Sequence, residues 1–250
     1  ESDPYLAAGS NELTDASLQR VRARLDDERS TDPEFRARIL SLLASVHARR
    51  GQNRLGLELS QQALEVAIDA GLDPALVADI ALATARQLST LSLNAEALQV
   101  LDTHRPALQR YARLPVATLR SRIELQHGDD DAARSRLEEV AADLGPGPTL
   151  SPDARALLNQ LAIVRGEQGE RIASIEAAER AFAGFEPQSG REIASWMSYA
   201  MNLAVAYGEA RRYREADALH RHIADWGRRT LGADHPQIAI VERSRAIGLI

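Results

Sequence analysis

The sequence predicts an all-α protein built from repeated helical hairpins. Only 4% of its 250 residues are aromatic, and β-branched runs are scarce, which favours close helix packing over a sheet. Apolar residues recur at helical spacing along most of the chain. A small residue opens the second helix of each predicted hairpin, and these residues are Gly56, Ala97, Ala133, Ser174 and Ala216. We therefore expect about five hairpins, repeated roughly every 40 residues, with a capping helix at either end.

Composition narrows the class of function. The net charge is only −6 and no block of five like charges occurs, so the chain lacks the basic footprint of a nucleic-acid-binding protein. Cysteine is absent, which excludes disulfides and thiolate catalysis. No apolar run is long enough to span a membrane. The chain begins at Glu1 without a signal peptide, and we expect it to be a segment of a longer protein.

Residues 1–30 predict an extended lead-in followed by an N-terminal capping helix. The stretch 1–14 is rich in turn formers, and Thr14 or Asp15 is suited to cap a helix that runs to about Arg29. The predicted apolar stripe of this helix consists of Leu18, Val21 and Leu25. The segment that ends in Asp32-Pro33 breaks this helix and starts the next one.

The first two hairpins are predicted near residues 33–71 and 74–108. In the first, Gly51 marks the corner between the helices and Gly71 is a C-cap of the second helix. We expect the His47 side chain to pack against other side chains of this hairpin. In the second hairpin, Pro106 stops or kinks the second helix.

The third and fourth hairpins are predicted near residues 113–144 and 152–186. The acidic run Asp129–Asp131 follows the corner glycine of the third and is expected to cap its second helix, since a calcium loop would need further oxygen ligands. The proline- and glycine-rich stretch 144–153 is either a long loop within one array or a division between two sub-arrays. We favour the loop, because the hairpin period continues across it.

The fifth hairpin, near residues 191–230, has the most regular pattern. Leu203, Ala204 and Tyr207 share one face of its first helix, and Ala216 opens the apolar face of the second. We expect Trp196, Met197 and Met201 to pack inside this hairpin. Residues 231–250 then predict a loop and one C-terminal capping helix that covers the last apolar face. His235 in that loop is expected to be solvated.

The stretch Met201–Trp226, with its Leu-Ala-x-x-Tyr and x-x-Tyr…Ala spacing, resembles the tetratricopeptide repeat. The LGADHP motif at 231–236 is similar to the linker of kinesin-light-chain-type repeats. This resemblance covers about residues 31–250 and implies a right-handed superhelical solenoid. It also implies a non-catalytic module that binds a protein or an extended peptide.

The beginning of the chain, up to about residue 50, resembles the start of the repeat region of bacterial transmembrane serine/threonine protein kinases. The matching elements are Asp3-Pro4, Leu13-Thr14, Leu25, Asp32-Pro33, Ala37-Arg38 and Leu42-Leu43. This resemblance implies a sensor region on the periplasmic side of a bacterial inner membrane, anchored by a span outside this chain. Bacterial transcriptional activators carry similar arrays, so a cytoplasmic scaffold or regulatory module is the alternative. No glycine-rich phosphate loop, His-Arg-Asp or Asp-Phe-Gly motif occurs, and we expect no enzymatic activity in this segment.

In the repeat family, the first helix of each hairpin lines a concave groove, and its second, fifth, ninth and twelfth positions face inward. Carried over to this chain, the principal groove residues are Arg38, Ser41, Ser45, Arg86, Arg122, Asn159 and Met201. Arg86 and Arg122 take the same position in adjacent hairpins, so their guanidinium groups could hold a peptide carboxylate. Alternatively, these arginines pair with groove acids such as Asp79 or Glu167.

No cofactor or metal site is predicted. His220 and His222 lie about 200° apart around a helix and do not converge, and no HExxH motif occurs. The expected partner is therefore a protein or extended peptide in the groove, with no nucleic acid, and a homodimer is a further possibility.

Overall fold

A computed structural model of the protein describes residues 32–145, 147, 149–188 and 190–248. These residues form twelve α-helices and no strand, which confirms the predicted all-α class. The predicted lead-in and capping helix of residues 1–30 lie outside the described residues. The chain divides between Ile123 and Glu124 into two compact units. We call the described residues 32–123 the N-terminal unit and the described residues 124–248 the C-terminal unit.

The first six helices carry the predicted hairpins up to the unit boundary, which falls inside the sixth. They are α1 (Pro33–Arg49), α2 (Asn53–Asp69), α3 (Pro74–Thr90), α4 (Asn94–Thr103), α5 (Arg105–Tyr111) and α6 (Arg113–Gln126). The helix interrupted near Pro106 resumes as the short α5, because proline is tolerated in the first turn of a helix.

The remaining helices belong to the C-terminal unit. They are α7 (Asp130–Ala141), α8 (Pro152–Glu167), α9 (Arg171–Phe182), α10 (Gly190–Glu209), α11 (Tyr213–Leu231) and α12 (Pro236–Gly248). The stretch 144–153, where we considered a division between sub-arrays, joins α7 to α8 within this unit.

Three first helices begin with a side-chain cap followed by proline. The Asp32 carboxylate accepts from the Glu34 N–H at 3.2 Å, and Asp73 accepts from the Ala75 N–H at 2.7 Å. The Ser151 hydroxyl accepts from the Ala154 N–H at 3.2 Å before α8. Each cap satisfies an N–H group that has no partner inside the helix.

All five hairpin corners have one backbone geometry. A residue with positive φ ends the first helix, and these residues are Gly51, Ser92, Gly128, Gly169 and Arg211. At each corner, the N–H of the next residue donates to the carbonyl five residues earlier at 2.8 to 3.0 Å. This left-handed cap satisfies the last carbonyls of the helix and turns the chain back on itself.

The corner geometry corrects the predicted role of Asp129. Asp129 occupies the N-cap position of α7, but its side chain makes no capping hydrogen bond. Its backbone angles, φ −92° and ψ 58°, are set by the corner and lie outside the extended region of a capping residue. Asp130 and Asp131 lie in the first turn, where their charges favour the helix dipole.

The small residues that open the second helices share one position, the fifth after the corner residue, and all five are buried. Gly56 shows why they are small. A Cβ atom added there would lie 3.0 Å from the Ala44 carbonyl oxygen of α1. The backbones of α1 and α2 therefore approach too closely for a larger side chain without rearrangement.

Two aliphatic clusters form the core of the N-terminal unit. The first joins α1, α2 and α3 through Leu40, Leu43, Leu59, Leu76 and Ile80. The second joins α3 to α6 through Leu88, Leu101, Leu108, Leu119 and Ile123. Both are built mainly from leucine and alanine.

The C-terminal unit has an aromatic core between α10, α11 and α12. Trp196 and Met197 are buried there, and Met201 packs against them, which confirms the predicted packing role of these residues. The Trp196 and Trp226 ring centroids lie 4.6 Å apart. The prediction of a solvated His235 is wrong: its residue surface is only 8% exposed. Its Nδ1 accepts from the Gln237 N–H at 3.2 Å, so the ring caps α12 instead of facing water.

Candidate functional site

The first helices expose one stripe of residues, which we call the first-helix stripe. Each first helix contributes four positions to this stripe, which lie thirteen, nine, six and two residues before the corner residue. This spacing places its members on one side of the helix. In the N-terminal unit, the exposed members are Arg38, Leu42, Ser45, Arg49, Asp79, Arg86, Thr90 and Arg122. The sixth position before the corner is exposed in all three first helices of this unit.

The C-terminal unit has a stripe of different chemistry on α8 and α10. Its exposed members are Glu167, Ser198, Val205 and Glu209, and its half-buried members are Ala156, Gln160, Ile163 and Asn202. No arginine occupies the stripe on these two described helices. The stripe of the C-terminal unit therefore combines uncharged polar, apolar and acidic side chains, whereas that of the N-terminal unit is mainly basic.

The structure places the predicted residues of α1 on or beside the N-terminal stripe. Arg38 is exposed and forms an ion pair with Glu34 on the preceding turn, with 2.7 Å between nitrogen and oxygen. Ser45 is exposed, and its hydroxyl donates to the Leu42 carbonyl at 2.8 Å. Ser41 is half-buried. The side chain of Arg38 therefore presents charge, while that of Ser45 is partly engaged with its own helix.

Arg86 and Arg122 both lie in the exposed sixth position before a corner. The N-terminal unit contains 11 arginines and 9 acidic residues, and Asp79 is the one acid among the exposed stripe residues there. The C-terminal unit instead contains 15 arginines and 20 acidic residues. The basic character of the stripe therefore belongs to the N-terminal unit, where its arginines are on helices α1, α3 and α6.

The predicted fifth-position residues are less accessible. Asn159 is buried, and its Oδ1 accepts from the Asn202 Nδ2 at 3.0 Å. Met201 is half-buried against the aromatic core. Sequence reasoning missed the neighbours one residue later, of which Leu42 is exposed and Gln160 and Asn202 are half-buried. Counting back from the corner residue, rather than forward from an uncertain helix start, would have found them.

Several arginines of the C-terminal unit join successive helices. Arg165 pairs with Glu138 at 2.8 Å, linking α8 to α7. Arg134 pairs with Glu170 at 2.7 Å, linking α7 to the next corner. Sequence reasoning did not separate such structural arginines from stripe arginines, because a lone sequence does not show which helix faces which.

A cluster around Glu179 links α9 to the fifth hairpin. The Tyr207 hydroxyl donates to Glu179 at 2.7 Å, and the guanidinium of Arg212 lies 4.5 Å from the Tyr207 ring centroid. Burial and the bond to the Glu179 carboxylate raise the pKa of Tyr207 to about 12. The phenol therefore stays protonated and acts as a structural donor. Glu179 thus serves the packing of hairpins.

The described residues hold no group of three or more histidine, aspartate or glutamate residues that could bind a metal ion. Nor is any described helix both long and apolar enough to cross a membrane. The candidate site is the first-helix stripe, a surface suited to contact another chain.

Comparison with known proteins supports the fold. Residues 196–237 match the tetratricopeptide repeat family model, and this range covers most of α10 and all of α11. No curated protein sequence matches the chain significantly.

Three solved structures are similar along most of the chain. BtubC (BKLC) from P. vanneervenii has a TM-score of 0.65 at 18% identity, covering 93% of this chain and 89% of that one. NprR in complex with its cognate peptide NprX has a TM-score of 0.61 at 10% identity, covering 97% and 70%. The APC/C hetero-tetramer Cut9-Hcn1 has a TM-score of 0.60 at 16% identity, covering 93% and 46%. At these identities the likeness shows the helical-repeat fold alone.

Proposed function

We propose that this chain is a non-catalytic module that binds an extended peptide or protein segment along the first-helix stripe of the N-terminal unit. The observation that carries this proposal is the sixth position before the corner, which is exposed on all three first helices of that unit. A row of regularly spaced side chains suits a ligand with its own regular spacing, such as an extended chain. The similar fold of NprR, solved with its cognate peptide, supports the same class of ligand.

The basic stripe of the N-terminal unit favours an acidic segment or a terminal carboxylate. Arg86 and Arg122 would make charge-assisted hydrogen bonds to carboxylate oxygens, and Arg38, Ser41 and Ser45 would extend the contact along α1. We expect the charges and hydrogen-bonding groups of the stripe to determine which ligand binds, because buried area alone does not determine affinity.

We place this binding module in the sensor region of a membrane-bound bacterial serine/threonine kinase, on the periplasmic side of the inner membrane. The resemblance of residues 3–50 to such kinases supports this context. Binding would then regulate a kinase domain that lies outside this chain. The alternative is a cytoplasmic scaffold or a regulatory module of a transcriptional activator.

A peptide selection with charge-reversed variants tests the binding proposal. The full chain would be used to select from a random peptide library, and the selected peptides measured by fluorescence anisotropy. Arg86→Glu/Arg122→Glu should weaken an acidic peptide at least about tenfold, or ~1.4 kcal/mol, because two charged hydrogen bonds are lost. Raising the salt concentration should weaken binding to wild type as well.

The matched control is Arg54→Glu/Arg243→Glu, which makes the same charge change at exposed positions of α2 and α12, off the stripe. Equal losses in both double variants would reduce the effect to net charge and contradict the proposal. So would a failure to select any peptide with a folded chain.

The kinase context has a separate test in the residues encoded upstream of Glu1. An apolar run of about 20 residues preceded by kinase motifs is the expected result. An upstream DNA-binding domain without such a run would instead favour the alternative.

A further inference from the structure

The first-helix stripe differs in charge between the two units, and the difference is sharpest at the sixth and second positions before the corner residue. In the N-terminal unit these positions hold three arginines and no acid, and the residues are Ser45, Arg49, Arg86, Thr90 and Arg122. On α8 and α10 they hold two acids and no arginine, and the residues are Ile163, Glu167, Val205 and Glu209. The chain therefore carries a cationic surface and, on other helices, an acidic surface built on the same positions.

The stripe on α8 and α10 consists of layers of like side chains. The second position before the corner is a glutamate on both helices, Glu167 and Glu209, and the sixth is a β-branched aliphatic residue, Ile163 and Val205. The two helices contact each other. A Cβ atom built on Gly166 would lie 3.4 Å from the Glu209 Oε2 atom, so this carboxylate reaches the turn of α8 that carries Glu167. A surface that combines cations with an apolar side chain would complement these layers.

The stripe of the N-terminal unit has this complementary composition. Leu42 lies on the stripe of α1, two turns before Arg49, and is 53% exposed. Val205 on α10 is similarly exposed, at 55%. A contact between these two side chains would remove apolar area of both from water. The two surfaces therefore match in apolar as well as in charged side chains.

Four of the charges on these surfaces are not used inside the chain. Among the described residues, Arg49, Arg122, Glu167 and Glu209 form no ion pair. Several other arginines of the C-terminal unit instead pair with glutamates of a neighbouring helix or corner. Exposed charges without an internal partner can pair with a second chain without first breaking a contact.

We propose that the first-helix stripe of the N-terminal unit binds the stripe of α8 and α10 in a second copy of this chain. Leu42 would meet the aliphatic layer, and the stripe arginines would pair with Glu167 and Glu209. A second copy is the partner that the chain's own surfaces favour, because it carries both complementary halves. Exposed ion pairs each contribute little, so we expect a weak, reversible association that salt weakens.

Self-association would regulate the peptide-binding site, and this consequence rests on the proposed function. The stripe that we propose for an acidic peptide would be covered by the glutamates of another copy. Peptide binding and self-association would therefore exclude each other. A peptide that binds only the separated chain would shift the equilibrium towards single copies.

Sedimentation velocity of the full chain over a range of protein and salt concentrations tests the self-association. Arg49→Glu/Arg122→Glu and Glu167→Arg/Glu209→Arg should each lower the association constant at least about tenfold, because like charges would then face each other. An equimolar mixture of the two variants should associate again, since each variant carries the surface that the other requires. Far-UV circular dichroism checks that both variants keep their helices.

Net charge does not explain this expected pattern. Glu167→Arg/Glu209→Arg changes the formal charge from −6 to −2, because each substitution adds two positive charges. General repulsion between copies would then decrease, so a loss of association would come from the stripe itself. The matched control is Arg54→Glu/Arg243→Glu, which lies off the stripe and should associate like the wild type.

A wild-type chain that stays monomeric at every concentration overturns the proposal. Association that is independent of salt, that survives the stripe reversals or that does not return in the mixture also overturns it. Because the test contains no peptide, its outcome is separate from that of the peptide selection. A monomeric chain that binds an acidic peptide would refute the self-association alone, and an associating chain that selects no peptide would refute the proposed function alone.

Discussion

At the scale of single residues, the five hairpin corners share one backbone geometry but differ in their side chains. Three of the five corners have glycine at positive φ, but Ser92 and Arg211 have φ values of 61° and 60°. A residue with a Cβ atom is strained in this region, by roughly 1–2 kcal/mol in a helix-like geometry. Glycine removes this strain but gains more entropy in the unfolded chain.

We predict that Arg211→Gly raises the free energy of unfolding by about 0.5–1 kcal/mol, since relief of strain exceeds the entropic cost. Urea denaturation at constant pH measures it. The matched control is Gly128→Ala, where φ is 80° and no atom lies within 4 Å of the added Cβ. That change should destabilise by a similar amount through backbone strain alone. A lower stability for Arg211→Gly would show that the arginine side chain contributes more than the strain costs.

The buried His220 gives the C-terminal unit a sensitivity to acid. Burial lowers the pKa of His220, while Asp217 raises it and Arg245 lowers it by smaller amounts. The ring Nδ1 lies 2.9 Å from the Ala216 carbonyl. Because the unfolded histidine titrates near its ordinary pKa of about 6.5, the unfolded state binds a proton at a higher pH than the folded state does. The free energy of unfolding must then fall as pH drops below that value.

We predict that His220→Phe flattens the dependence of stability on pH between about 7 and 5. The phenyl ring fills similar space but binds no proton, so the acid-induced loss from this site disappears. His104, whose pKa is also lowered by burial, would account for part of the remaining slope. Denaturation at each pH measures the slope, with His127→Phe as an exposed control. An unchanged slope in His220→Phe would contradict the assignment.

At the scale of elements, Arg155 closes the C-terminal end of α9. Its residue surface is only 6% exposed. The guanidinium donates to the Ala181 carbonyl at 2.7 Å and the Ala183 carbonyl at 2.9 Å. It also lies 4.9 Å from the Phe185 ring centroid. A side chain of α8 thus satisfies carbonyls that the end of α9 leaves without helical partners.

We predict that Arg155→Met lowers the free energy of unfolding by about 2–3 kcal/mol, because the buried Ala181 carbonyl and the part-buried Ala183 carbonyl lose a charged donor. Arg155→Lys should recover only part of this loss, since an ammonium group lacks the planar fork that bridges both acceptors. Thermal and urea denaturation of both variants measure the effect. Full stability in the lysine variant would show that charge, rather than the geometry of the fork, is what the site requires.

The helices and corners also show which features of the fold could be predicted from the sequence. The opening residues Gly56, Ala97 and Ala133 were found from spacing alone, because a close helix crossing tolerates only small side chains. The exposed stripe was placed less well, since a one-residue uncertainty in a helix start rotates every assignment by about 100°. That is why Asn159 was predicted on the groove and lies buried. Pairings such as Arg155 with α9 depend on tertiary contacts that no local pattern encodes.

At the scale of the whole molecule, the contacts are local in sequence. Apart from α1 with α3, α3 with α5, and α8 with α10, the principal helix pairs of the described residues are consecutive in the chain. Each hairpin is therefore stabilised by itself and by its neighbours, as in other repeat proteins. No described hairpin needs a partner from the far end of the sequence. This organisation favours fast folding and allows unfolding that is confined to part of the chain.

We predict that a defect in the first hairpin stays local. Gly56→Ala places a methyl group 3.0 Å from the Ala44 oxygen and should destabilise the α1–α2 contact by about 1–3 kcal/mol. Hydrogen exchange followed by mass spectrometry should then show faster exchange in α1–α3, with α10–α12 unchanged. The matched control is Gly227→Ala in α11, where the nearest atom is the Ile238 side chain at 3.3 Å, and its effect should be confined to α10–α12. Faster exchange throughout the chain in either variant would mean that it unfolds as one cooperative body, and the nearest-neighbour description would then fail.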